Sequence, residues 1–175
     1  MDHSLYLADL ATVTTAQVRQ FLSDLIHEQL LTENLTVELK ARRSGYNVAE
    51  AVCALANTEG GLVLVGVDES AAPAMDGVPP PERDAIVRQL TATLEPAYLP
   101  EITTVVSDDP SRAVIVIRVN PDDVPAPPIL CRGRAYLRQP GQTSRARLDQ
   151  LLGLVRRGAA GQAVYAPGAT AVGSM

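Results

Sequence analysis

Hydrophobic and polar positions follow two different periods along the chain, and together they predict a fold built from helices and strands. Apolar residues recur every three or four positions in residues 15–30, the period of a helix with one buried side. In residues 35–40 they alternate with polar residues, which predicts a strand with one buried and one polar face. Residues 62–67 are almost entirely apolar and predict a short strand buried on both faces.

The remainder of the chain continues this mixture. Asn47 and Glu50 have capping-box spacing and predict the start of a helix that ends near Gly60 and Gly61. The other predicted elements are a helix over 84–94, a hairpin of 101–108 and 112–120, a second hairpin over 129–139 that turns near Arg132 and Gly133, and a helix over 145–157. We expect an α+β fold with a single mixed sheet and packed helices: a leader and helix (1–30), one domain (31–157) and a flexible tail (158–175).

Composition limits the class of protein. The 175 residues are 46% hydrophobic, enough for one domain with a core, but only 3% aromatic, so that core is aliphatic. No apolar run reaches the roughly 20 residues of a membrane span, and the N-terminus has no signal-peptide pattern. Cys53 and Cys131 are isolated, which is typical of reduced thiols. We therefore expect a cytoplasmic protein with no membrane partner.

Charge is distributed unevenly along the chain, although the net charge is −5. Residues 1–129 contain eight Lys or Arg and nineteen Asp or Glu, whereas residues 130–175 contain seven Arg and one Asp. Such asymmetry indicates either a basic surface on an acidic protein or arginines that pair with the acids of the first part. The sequence leaves both interpretations open.

The segment Ala-Asn-Thr-Glu-Gly-Gly at 56–61 combines polar side chains with a double glycine. Asn57 and Thr58 either hydrogen-bond the backbone at the end of the helix or contact phosphate, while the glycines allow a tight reversal into the next strand. The sequence has no G-x-x-x-x-G-K-[ST] loop and therefore no Walker-type ATP site.

Three segments, taken in order, resemble the Schlafen-type AlbA-like domain. They are LTVELK (35–40), LANTEGGLVLVGVDE (55–69) and AYLRQPGQTS (135–144). They are similar to that family's Glu-aromatic-Lys strand, its Ala-Asn-Thr-x-Gly-Gly helix end with a Gly-Val-Asp-Asp strand end, and its Tyr-x-Arg strand with a Gly-Ser/Thr turn. The resemblance spans residues 31–157 and implies an AlbA-like core that binds nucleic acid.

Some members of that family are endoribonucleases that use three carboxylates with a divalent metal. The resemblance places these carboxylates on Glu33, Glu38 and Glu69, with Asp68 beside the third, and implies Mg²⁺ or Mn²⁺. Glu38 lies on the polar face of its predicted strand, and Glu33 joins it only from the preceding loop. Because neighbours in an extended chain point to opposite faces, only one of Asp68 and Glu69 can join Glu38.

Arginine is the other candidate feature, because its guanidinium donates two parallel hydrogen bonds to phosphate. We expect nucleic-acid contacts from a group of basic, hydroxyl and aromatic side chains, namely Lys40, Arg42, Arg43, Arg132, Arg134, Tyr136, Arg138, Thr143, Arg145 and Arg147. Solvated charge is the alternative for these residues, and for Tyr136 a place in the core.

Two functions follow from these patterns. The first is a stand-alone Schlafen AlbA-like protein that binds RNA or single-stranded DNA. Metal-dependent endoribonuclease activity is a further expectation under this first function. The second is a non-catalytic regulatory or assembly module that acts through protein partners, favoured by the acidic total and the single lysine. A homodimer is expected under both, because the Schlafen core resembles two such lobes side by side.

Overall fold

Two four-stranded sheets and five α-helices make up the described part of the molecule, residues 4–27, 35–69 and 74–164 of a computed structural model. The helices are α1 (Ser4–Leu7), α2 (Thr15–His27), α3 (Asn47–Ala56), α4 (Glu82–Thr93) and α5 (Leu148–Val164). The strands are β1 (Val37–Lys40), β2 (Gly61–Val65), β3 (Leu94–Glu95), β4 (Glu101–Val106), β5 (Ala113–Val119), β6 (Leu130–Cys131), β7 (Arg134–Gln139) and β8 (Gln142–Arg145). These elements confirm the α+β class. Within the described ranges, every helix is too short or too polar to cross a membrane.

The first sheet is mixed and has the order β1-β2-β5-β4. Strand β1 runs parallel to β2, and the other neighbours are antiparallel. The side chains of β2 alternate between two cores, which explains why the whole strand is buried. Leu62 and Leu64 pack with α1 and α2, whereas Val63 and Val65 pack with α3 and α4. The predicted doubly buried strand is confirmed.

The second sheet is antiparallel and has the order β3-β6-β7-β8. It corrects the prediction of a single sheet. Helix α3 lies between the two sheets and contacts β2 and β5 on one side and β6, β7 and β8 on the other. Local periodicity identifies strands but not their partners, so it does not distinguish one sheet from two sheets with a helix between them.

The start of α3 differs from its prediction. The helix begins at Asn47 as expected, but its N-cap is Tyr46, which makes no side-chain capping bond. Asn47 Oδ1 instead accepts a hydrogen bond from the Ser44 amide at 2.9 Å. The side chain of Glu50 turns toward β7, where it accepts a hydrogen bond from a tyrosine, so the predicted capping box is wrong.

The described residues near both ends of the chain are more structured than the pattern indicated. The segment predicted as a leader buries Leu5, and its carbonyls at Tyr6 and Ala8 accept hydrogen bonds from Arg118 of β5. The last helix begins after Arg145, because that residue pairs with β7 as part of β8. It continues to Val164, so residues 158–164 of the predicted flexible tail are helical, and residues 165–175 lie outside the described residues.

The two cysteines are free thiols, as their isolation in the sequence predicted, and the structure shows that both are buried. Burial raises the pKa of the Cys53 thiol to about 12, and burial also raises the pKa of Cys131. We expect neither thiol to react with Ellman's reagent at about pH 8 in the native protein, and both to react after denaturation. Fast labelling of Cys53 in the native state would contradict this packing.

The same burial of Cys53 predicts a pH dependence of stability. Below its ordinary pKa of 9.0 the thiol is protonated in both folded and unfolded chains, so its contribution is fully present. Between that value and about 12 only the unfolded chain releases the proton, and the free energy of unfolding falls as the pH rises. Replacing Cys53 with Ala should remove this part of the alkaline slope in urea titrations.

Candidate nucleic-acid interface

Glu38 lies between the two sheets and is almost completely buried. One of its carboxylate oxygens contacts Lys40 Nζ and the other contacts the guanidinium of Arg138 on β7. Arg138 Nη2 also donates to the Val37 carbonyl at 2.9 Å. Two cations thus neutralise one buried carboxylate, which removes much of the desolvation cost of placing it there.

Strand alternation places the candidate site residues of β7 on one face. Arg134, Tyr136 and Arg138 are two residues apart and therefore point the same way, toward α3 and β1. In the register with β8, Tyr136 lies opposite Arg145, and Arg138 lies opposite Thr143. This face of the second sheet therefore carries three arginines around one tyrosine.

A short hydrogen-bond chain connects that face to α3. Tyr136 Oη donates to Glu50 Oε1 at 2.8 Å, and Arg145 lies opposite Tyr136 on the neighbouring strand. Burial, followed by the bond to Glu50, raises the pKa of Tyr136, so the hydroxyl remains a donor at neutral pH. Sequence reasoning missed Glu50 as a site residue. The signal that could have identified it is that Glu50 is the single charged residue of a helix that is otherwise apolar after Asn47.

Glu50 is shared by two clefts on this side of the molecule. The larger is an open cleft of about 270 Å³, and the smaller has a volume of about 120 Å³. The larger cleft is lined by Glu38, Lys40, Asn47, Glu50, Glu69 and the turn 141–143. The smaller is lined by Glu50, Cys131, Arg132, Arg134 and Tyr136.

The predicted carboxylates are only partly brought together. Glu38 and Glu69 line the same cleft, whereas the exposed Asp68 is not among its lining residues, so Glu69 is the better third member. Glu33 lies outside the described residues. Across the ranges that the structure describes, no group of three His, Cys, Asp or Glu side chains is placed to hold a metal ion.

A divalent cation held by Glu38 does not fit the described arrangement. Both oxygens of that carboxylate already contact cationic groups, and a metal would have to displace Lys40 or Arg138 to reach them. The metal role predicted for Glu33, Glu38, Asp68 and Glu69 therefore stays a prediction of the family resemblance.

The predicted basic residues divide into two groups. In the first group each cation forms an ion pair with a carboxylate. Lys40 and Arg138 contact Glu38, Arg43 contacts Glu82, and Arg147 lies 3.6 Å from Asp149. In the second group the cations are exposed and, within the described ranges, lie beyond ion-pair distance of any acid. These are Arg42, Arg132, Arg134 and Arg145.

Tyr136 and Thr143 face inward rather than outward. Tyr136 is buried, and its hydroxyl is committed to Glu50, so it offers no exposed ring. Thr143 is half-buried and accepts a long hydrogen bond from Arg138 at 3.4 Å. The exposed aromatic side chain of this region is instead Tyr46, which the sequence analysis did not select.

Tyr46 and Arg132 form a stack at the edge of the smaller cleft. The Arg132 guanidinium carbon lies 4.2 Å from the centre of the Tyr46 ring. Arg132 and Gly133 both have positive φ, as a two-residue hairpin turn between β6 and β7 requires. The turn holds Arg132 in a conformation that non-glycine residues rarely adopt, and it directs the side chain over the tyrosine.

Asn57 has a structural role. It is the C-cap of α3 and is almost completely buried. Its amide nitrogen donates to the carbonyls of Ile129 and Tyr136 at 2.7 and 3.0 Å, and its oxygen accepts from the Ile129 amide at 2.8 Å. The Thr58 hydroxyl donates to the Ala54 carbonyl at 2.8 Å. Both side chains hydrogen-bond to the backbone. The structure therefore supports the backbone interpretation of this motif rather than contact with phosphate.

A comparison with known protein families assigns most of the chain to one family. The family model described as Schlafen, AlbA_2 matches residues 33–147, which include β1, the end of α3 and the β7–β8 hairpin. The chain belongs to the Schlafen AlbA_2 family. The resemblance found in the sequence is thereby confirmed. Among curated proteins, none matches this chain.

Two solved structures resemble this Schlafen AlbA_2 chain. The N-terminal domain of a RecG-related protein from Nitrosomonas europaea is 25% identical, with a TM-score of 0.50, over 71% of this chain and 92% of that one. The DIP2311 protein from Corynebacterium diphtheriae is 17% identical, with a TM-score of 0.46, over 74% of this chain and 30% of that one. The similarity to the RecG-related domain supports the AlbA-like fold that the family match indicates for this chain.

The buried contact between Glu38 and Arg138 predicts a large effect on stability. In Glu38→Gln the side chain keeps its size, but Arg138 and Lys40 lose their counter-ion in a desolvated place. We expect the free energy of unfolding to fall by about 3 kcal/mol or more in urea titrations. The matched control is Glu69→Gln, an exposed acid of the same cleft, for which we expect a change within about 0.5 kcal/mol. Equal effects of the two substitutions would contradict the role of the ion pair.

Proposed function

We propose that this Schlafen AlbA_2 chain binds RNA or single-stranded DNA through the phosphate backbone, at the face formed by β7, β8 and the turn before β7. The observation that carries the proposal is the group of exposed arginines Arg132, Arg134 and Arg145 around the Tyr136–Glu50 pair. Their guanidinium groups match the geometry of phosphate oxygens.

The charge balance of this face supports anion binding. The three arginines are exposed, and in the described part of the chain they lie beyond ion-pair distance of acids. One carboxylate, Glu50, lines the smaller cleft with Arg132 and Arg134, and the three arginines outnumber it. The face is therefore locally positive although the net charge of the chain is −5. A local cluster of this kind attracts a polyanion over short distances, because screening limits the reach of the acids elsewhere.

The stack of Arg132 on Tyr46 supports single strands over duplexes. A base can stack only when it is unpaired or splayed out, and exposed aromatic rings with arginine provide such platforms in single-strand binding proteins. The RecG-related neighbour, whose name relates it to a DNA helicase, has a similar domain at its N-terminus. That comparison agrees with a nucleic-acid role without deciding the type.

The arginine face predicts salt-dependent binding that specific substitutions weaken. We expect Arg134→Gln and Arg145→Gln each to lower affinity for a short labelled single-stranded RNA severalfold, and together to reduce the slope of log Kd against log salt by about 1.4. Fluorescence anisotropy at several salt concentrations measures both quantities. The matched control is Arg19→Gln on α2, which removes the same charge on the far side of the first sheet.

Two results would contradict this proposal. Equal weakening by Arg19→Gln would show that only total charge matters. Undetectable binding to RNA and to single-stranded DNA, at low salt as well, would instead favour the regulatory or assembly module that acts through protein partners.

Metal-dependent cleavage is a separate matter from binding. The observation in its favour is that Glu38, Glu50 and Glu69 line one cleft beside the arginine face. The observation against it is that Lys40 and Arg138 already contact the two carboxylate oxygens of Glu38. On the second observation, we expect end-labelled transfer RNA to remain intact with Mg²⁺ or Mn²⁺.

The cleavage assay should be read with Glu69→Gln and Asp68→Asn, because both acids are exposed and their loss should leave the fold unchanged. Cuts that require the metal and disappear in Glu69→Gln but persist in Asp68→Asn would overturn our expectation and assign Glu69 to a metal site. Glu38→Gln is unsuitable here, since loss of activity could follow from loss of stability.

A further inference from the structure

Helix α5 carries apolar residues on two separate sides. Its inner side faces the body of the protein: Leu154 is buried, and a side chain at Gly158 would meet the Pro127 carbonyl oxygen at 1.9 Å. Its outer side presents Leu148, Leu152 and Val155 to solvent, with 73%, 48% and 47% of their surface exposed. Single exposed apolar residues are ordinary, but three along one line of a helix indicate a contact surface.

The spacing of the outer residues is that of a helix pair. Leu148, Leu152 and Val155 are separated by four and then three residues, and the exposed Ala159 continues the pattern by four more. These are the a and d positions of two heptads, which form a narrow seam when a second helix packs against them.

We propose that a second copy of this chain covers the seam, with the two α5 helices antiparallel about a two-fold axis. In this arrangement Leu152 meets Val155 of the second copy near the axis, and Leu148 meets Ala159 of the second copy farther out. A two-fold axis makes each of these contacts twice and leaves no seam unpaired, so assembly stops at a dimer.

The flanking charges select the antiparallel arrangement. Asp149 and Arg156 are exposed, oppositely charged and seven residues apart, so both occupy the e position beside the seam. The contact of Asp149 with Arg147, at 3.6 Å between two exposed side chains, is weak enough to be exchanged for one with a second copy. In an antiparallel pair the e positions of the two helices face each other, which brings Asp149 near Arg156 of the second copy, twice. A parallel pair would set e against g, where Leu151 and Gly158 offer no charge.

Sedimentation velocity of the full 175-residue chain over a range of concentrations tests the dimer. We expect a monomer–dimer equilibrium that Leu148→Ser with Leu152→Ser weakens by on the order of a hundredfold, because two partly exposed leucines lose their burial. The matched control is Leu99→Ser, which changes a leucine of similar exposure outside α5 and should leave the equilibrium unchanged.

A charge exchange tests the orientation of the helices. Asp149→Arg and Arg156→Asp should each weaken the dimer by about tenfold, and the double exchange should restore most of the loss. Within one helix, residues seven apart lie roughly 10 Å apart along the axis, too far for an ion pair, so restoration reports a contact between two copies. The effect of Asp149→Arg on the first turn of α5 is present in that single variant and in the double exchange, so it cancels when those two are compared.

The proposal is overturned if the wild-type chain stays monomeric at the highest accessible concentration, or if Leu99→Ser weakens the dimer as much as the α5 substitutions do. Dimers that survive the α5 substitutions would place the interface elsewhere, and failure of the double exchange would reject the antiparallel pairing. These tests do not depend on nucleic-acid binding, since none of the variants touches Arg132, Arg134 or Arg145.

Discussion

The contact between Glu38 and Arg138 joins two sheets that share no strand. Glu38 is on β1, at the edge of the first sheet, and Arg138 is on β7, inside the second. An isolated charge in that position would be strongly destabilising, so each residue requires the other. Because β7 alternates, the position of Arg138 also sets the positions of Tyr136 and Arg134 on the same face. The contact thus determines where the hydrogen bond to Glu50 forms and where the arginine face begins.

Helix α3 and the loop after it provide a second constraint on the same region. The side chain of Asn57, at the end of the helix, hydrogen-bonds to the backbone of Ile129 and to the carbonyl of Tyr136. At the following glycines the backbone comes so close to its neighbours that a side chain at Gly61 would lie 2.1 Å from the Thr36 carbonyl oxygen. The family motif around 57–61 is therefore explained by close packing between α3, β1 and β2, and not by a loop that holds phosphate.

Positive charge in this protein occupies two environments, which differ in burial. Lys40 and Arg138 neutralise Glu38 and belong to the fold, whereas Arg132, Arg134 and Arg145 lie on the surface around the Tyr136–Glu50 pair. Both interpretations of the charge asymmetry thus hold, each for different residues. In the same way, helix α5 uses its inner side for the fold and leaves its outer side exposed, and the two sides are distinguished only by what packs against them.

The sequence by itself determined the elements whose signal is local. Strand β2 follows from an uninterrupted apolar run, and the hairpin of β4 and β5 from two strand-forming segments around an Asp-Asp-Pro-Ser turn. The apolar stripe of α2 follows from its three-and-four spacing. The family followed from short motifs at characteristic separations. Tertiary structure alone decided that β7 pairs with β8 in a second sheet, that Glu38 meets a cation 100 residues away, and that Glu50 turns from its helix to Tyr136. The physical reason is that periodicity records which face of an element is apolar, whereas the partner of a buried charge depends on how distant elements pack, and no local pattern contains that information.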